Sequence, residues 1–113
     1  MAGKEKVLYT FVQSKSFQKQ LAQIDDPSVL EIIEVELGDN PQAGDLLKGG
    51  VRKARVRAPN RGGKSGGYRV FYYFIDSKGV IFLIWLLDKK DAENLTPEVL
   101  QQVQEIAKTF QKP

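Results

Sequence analysis

Residues 48–76 read KGGVRKARVRAPNRGGKSGGYRVFYYFID, two strand-forming runs joined by glycine and cations. From Val51 to Arg57 the two-residue period of a strand sends Val51, Lys53, Arg55 and Arg57 to one side and Arg52, Ala54 and Val56 to the other. Three cations then follow one another at intervals of about 6.6 Å, two steps of strand rise. Tyr68 to Ile75 is a second strand, rich in aromatic residues. Between them, Ala58 to Gly67 (APNRGGKSGG) has the composition of a turn and predicts a mobile hairpin tip that carries Arg61 and Lys64.

Charge is segregated around this stretch. Leu46 to Ile75 holds eight Lys or Arg and no Asp or Glu, whereas Met1 to Asp45 holds four against eight, and Asp76 to Pro113 five against six. The net charge of +3 hides this contrast. An uninterrupted block of cations is the footprint of a polyanion site, and nucleic acid is the first candidate.

A chain of 113 residues predicts one domain, residues 1–113, with a single core. The sequence has no cysteine and no histidine. The first fits a reducing compartment without a disulfide framework; the second removes the side chain that ordinarily titrates near neutral pH. Any acid–base chemistry falls to Lys, Arg, Tyr or a carboxylate. The longest apolar run, Val80 to Leu87, has eight residues, far short of the roughly 20 that a membrane helix needs. The N-terminus lacks the apolar segment of a signal peptide. A cytoplasmic protein without membrane association is expected.

The flanks supply the scaffold. Val7 to Val12 predicts a first strand. Ser14 or Ser16 caps a short helix with Phe17, Leu21 and Ile24 on one face. Asp26-Pro27 opens a second helix with Val29, Leu30, Ile33 and Leu37 inward and Glu31, Glu34 and Glu36 outward, ending at Gly38. Asp39 to Gly50 reads as loop. Asp76 to Gly79 is a tight turn. Val80 to Leu87, apolar on both faces, belongs inside a sheet covered from both sides, with Trp85 in the core. Thr96-Pro97 starts a last helix with Leu100, Val103, Ala107 and Phe110 as its buried stripe. The order is β-α-α-β-β-β-α, an α+β domain with its last three strands antiparallel.

Hairpin pairing would bring Lys53, Arg55 and Arg69 together, and a further hairpin would return Lys89 beside Arg69. Such convergence costs stability unless an anion fills it. Cleavage of RNA by its own 2′-hydroxyl needs a proton acceptor, cations for the phosphorane and an acid for the leaving oxygen. A lysine crowded by cations releases its proton more readily, so Lys53 can serve as base. Arg55 and Arg69 suit a planar clamp on phosphate. Tyr73, on the face of Arg69, could stack a base, against a competing reading of Tyr68, Tyr72 and Tyr73 as packing residues. Arg52, Arg57, Arg61 and Lys64 are further candidates for RNA contact. The cation-rich segment has no carboxylate to hold a hard metal, and no cofactor is expected.

The segments GDLLKGGVRKARV, GGKSGGYRVFYYFID and LIWLLDKKDAENLTPE resemble the RelE/HigB superfamily of type II toxin–antitoxin toxins, nearest its HigB-like branch. The resemblance spans roughly Gly44 to Glu98. It implies a small RelE-like α+β toxin that enters the ribosomal A site, cuts mRNA there without a metal, inhibits translation, and is held in check by a cognate antitoxin, commonly a helix-turn-helix protein. It implies ribosome, mRNA and rRNA as partners. The family's basic pair falls on Lys53 and Arg55, its strand arginine on Arg69 and its later cation on Lys89. The tyrosine that RelE itself uses falls on Leu95, and the aromatic that commonly precedes the later cation falls on Leu87. Two alternatives stand beside this reading: a ParE-like gyrase inhibitor, and a non-enzymatic RNA-binding module.

Overall fold

The computed structural model describes residues 8–24, 26–58, 63–88 and 96–111. Five strands form one sheet in the order β1-β5-β4-β3-β2. They are β1 (Thr10–Gln13), β2 (Asp45–Leu46), β3 (Arg52–Ala58), β4 (Gly63–Ile75) and β5 (Val80–Asp88). Helices α1 (Lys15–Ala22) and α2 (Ser28–Asp39) cover one face, and α3 (Pro97–Gln111) packs on the other.

β5 lies between β1 and β4, as its apolar faces require. Ile81, Leu83 and Leu86 enter the core with Phe17, Ile33 and Leu37. Ile84 packs with Phe71, Val103 and Ala107 beneath α3, with Trp85 and Leu87 against them. A bulge makes this possible: Phe71 pairs with Trp85 but Tyr72 with Leu83. Ile84 and Trp85 therefore share a face, and the alternation changes phase at that point. Ser14 closes the irregularity from the side, its hydroxyl donating to the Ile84 carbonyl at 2.6 Å while accepting from the Phe17 N–H at 3.0 Å. One buried side chain thus caps α1 and ties it to β5. Gln20 of α1 accepts from the Leu86 N–H at 2.7 Å.

Several boundaries differ from the sequence reading. β1 begins at Thr10 and runs parallel to β5, a long-range pairing that local pattern does not reveal. α2 continues through Gly38 to Asp39. At its start the Asp26 carboxylate accepts from both the N–H and the hydroxyl of Ser28, at 3.0 and 2.6 Å. The expected loop between α2 and β3 contains β2, antiparallel to β3. The glycine-rich run is largely strand, since β4 starts at Gly63. Gly67 explains why glycine is used there: a Cβ would lie 2.5 Å from the Val56 carbonyl oxygen, so the two backbones approach as only glycine permits. The Thr96 cap of α3 holds, its hydroxyl accepting from the Val99 N–H at 3.3 Å.

Candidate functional site

In the β3–β4 ladder Arg55 lies directly opposite Arg69, and Lys53 opposite Phe71. Cross-strand partners project to the same side of a sheet. Phe71 is buried beneath α3, so these cations occupy the α3 side of the sheet. Together Lys53, Arg55 and Arg69 line a recess of about 180 Å³ whose remaining walls are Ala54 and Asp45. Arg55 is exposed, and Lys53 and Arg69 are half-buried. Removal from water, followed by repulsion from Arg55, holds the Arg69 guanidinium below its ordinary pKa. Both causes disfavour its charge, and a bound anion would relieve the second.

Asp45 is the residue that sequence reasoning missed. It pairs with Lys53 in the β2–β3 ladder and so stands on the same face. No pattern signal was available, because a two-residue strand has no period. The segment leading into it is braced from the opposite face. Arg52 donates to the carbonyls of Gln42 and Gly44 at 3.1 and 2.8 Å. The Tyr72 hydroxyl donates to the Pro41 carbonyl at 2.7 Å and accepts from the Gly44 N–H at 3.1 Å.

The other expected contacts separate accordingly. Arg52 points away from the recess, and its guanidinium is engaged by the loop carbonyls of Gln42 and Gly44. Tyr73 shares the face of Arg69 but packs in the cluster beneath α3, and a Cβ on Gly50 would meet its ring at 2.9 Å. Four residues of strand, about 13 Å, separate it from Arg69. The structure does not bring it to the recess. Arg57 is exposed next to the register shift between Val56 and Ala58. Lys64 lies in β4, with its side chain outside the description; Arg61, Lys89 and Leu95 lie outside the described residues. The β4–β5 register that was to return Lys89 does place Leu87 opposite Arg69. Among the described residues no three of His, Cys, Asp and Glu gather as a metal site, and no helix is long and apolar enough to cross a membrane.

Fold and recess together define a small α+β domain that presents a cationic site on the part of a sheet face its last helix leaves open. A family model described as the RelE toxin of the RelE/RelB toxin–antitoxin system matches residues 10–113, and the chain belongs to that family. Solved structures agree on the fold. A mutant of E. coli toxin RelE with two arginines replaced by alanine, in the free state, is 24% identical with a TM-score of 0.58, covering 88% of this chain and 97% of its own. The RelBE2 toxin–antitoxin complex of Mycobacterium tuberculosis gives 19% and 0.54, covering 73% and 99%. The intact E. coli RelBE toxin–antitoxin complex gives 24% and 0.50, covering 70% and 94%.

Proposed function

We propose that this toxin is an endoribonuclease that cuts mRNA in the ribosomal A site, without a metal cofactor, and so stops translation. The observation that carries this reading is the convergence of Lys53, Arg55 and Arg69 on one recess. The two guanidinium groups grip the scissile phosphate through its oxygens. The Lys53 ammonium adds a compact charge, and the three together offset the negative charge that builds up in the phosphorane. Lys89, carried over from the family pattern, would complete the set. The GKSGG segment favours the HigB-like branch, the partners are the ribosome with its mRNA and rRNA, and the site of action is the cytoplasm. A cognate antitoxin is the natural restraint, because the family is defined by such pairs.

Purified protein added to translating ribosomes should produce mRNA ends inside A-site codons, mapped by primer extension. Lys53→Ala and Arg69→Ala should each lower the cutting rate by at least about 10²-fold. Intact mRNA accompanied by accumulation of relaxed plasmid would replace this reading with gyrase inhibition. Intact mRNA with salt-sensitive RNA binding would leave a binding module.

A further inference from the structure

We infer that the outer edge of β1 is a pairing surface for a second copy of this chain, the two β1 strands running antiparallel about a two-fold axis. The pairing does not depend on nuclease activity, because the recess lies towards the other end of the sheet.

β1 leaves one edge of its backbone open. The Thr10 N–H donates to the Gly79 carbonyl and the Ser14 N–H to the Leu83 carbonyl, both at 2.9 Å. Thr10, Val12 and Ser14 therefore turn their backbone groups towards β5, while Phe11 and Gln13 turn theirs outward, since these groups alternate along a strand. Among the described residues no strand pairs with that outer edge. Sheets ordinarily guard an edge with a charge, a proline or a bulge, or by making it very short. The opposite edge is guarded in this way: β2 has two residues, one of them Asp45. β1 has four. From Leu8 to Gln13 there is no charged residue and no proline, and the register with β5 is unbroken. Apolar side chains border both faces. Tyr9 and Phe11 lie partly buried on the α1 side. Val12 is half-buried on the α3 side, opposite the Phe82 ring that stacks on Phe110, and Leu8 is 85% exposed.

This chemistry selects the occupant. A foreign strand is chosen by charges or by pockets for its side chains, and this edge offers no charge. A copy of the same strand fits by symmetry, because an isologous contact asks only that a surface complement itself. With Val12 facing its counterpart on the axis, Phe11 of one copy meets Gln13 of the other, and each such pair exchanges both backbone hydrogen bonds. Repulsion favours the same choice. The recess cations sit on strands that β5 separates from β1, so this edge joins two like-charged chains away from them. The product is one continuous sheet with a recess open towards each end. Four paired residues a side fall well short of the roughly 20 of a standard interface, so the association is reversible and its extent follows concentration.

Sedimentation velocity over a concentration series tests this on the full chain. Wild type should pass from 12.7 kDa to twice that mass as concentration rises. Gln13→Pro removes an outward N–H and leaves the bonds to β5, so it should keep the lower mass, with a thermal melt to verify that it folds. A cysteine trap covers the case in which that variant does not fold. The chain has no cysteine, so Val12→Cys can form a covalent dimer only through position 12, where facing Cα atoms about 4.5 Å apart suit a disulfide. Association raises the effective thiol concentration, so on oxidation it should cross-link at least about tenfold faster than Glu31→Cys, which lies on the exposed side of α2. The inference is overturned if wild type stays at 12.7 kDa up to about 1 mM, if Gln13→Pro folds and still dimerises, or if both cysteine variants cross-link at one rate. Slow amide exchange at Phe11 and Gln13 in the 12.7 kDa species would also overturn it, since the chain itself would then cover the edge.

Discussion

Arg55 and Arg69 face each other across two hydrogen-bonded strands, an arrangement in which like charges repel at close range. Their mutual repulsion, which also lowers the Arg69 pKa, is what an anion in the recess would relieve. Arg55→Ala should therefore raise the unfolding free energy by about 0.5 kcal/mol while reducing A-site cutting. Urea denaturation and primer extension on the same preparation check the two halves, and a variant less stable than wild type would refute the first. The shared side of Lys53 and Arg55 was legible in the sequence, because a strand's two-residue period converts spacing directly into sidedness. The engagement of Arg52 by the loop and the packing of Tyr73 beneath α3 were not. They depend on which loop carbonyls come within reach of a guanidinium and which ring lies beneath a helix.

Among the elements, the two-residue β2 owes its position to neighbours. Tyr72, buried under α2's side of the sheet, ties the approach to β2 in place. Burial pushes its hydroxyl above the ordinary value of 10.0, against weaker lowering by its bond with Gly44 and by Arg52. A phenol whose pKa rises on folding holds its proton more tightly in the native state. Its contribution is full below the unfolded value and is lost as pH climbs through the folded one. Wild type should thus lose stability above about pH 10, and Tyr72→Phe should lack that part of the loss. At neutral pH Tyr72→Phe should be less stable by about 1–3 kcal/mol, because the Gly44 N–H is left without its acceptor. Denaturant midpoints at the two pH values test both. Helix caps at Ser14 and Thr96 were readable because capping is local chemistry. The Ile84–Trp85 bulge was not, since every residue from Val80 to Leu87 is apolar and any phase looks alike.

Across the whole molecule, three cations of the middle block, Lys53, Arg55 and Arg69, share one recess with Asp45, the last residue of the acidic N-terminal block. RNA affinity should fall with salt, with a slope of log K against log salt near −2 if Lys53, Arg55 and Arg69 each neutralise a phosphate. Arg55→Ala should lessen that slope by about 0.7. Arg52→Ala should leave it unchanged and reduce stability instead, since its guanidinium serves Gln42 and Gly44; fluorescence anisotropy across a salt series separates the two. Helix α3 has a second duty. Its Gln111 donates to the Gly49 carbonyl at 2.8 Å and its Gln104 to the Lys48 carbonyl at 3.5 Å, gripping the bend between β2 and β3. Synthesis delivers that bend and the whole sheet first and the gripping helix afterwards. While a chain is still being made, then, one side of its central strand lies bare and the bend is unheld, so the molecule acquires its finished shape only after the helix has emerged from the machine that built it.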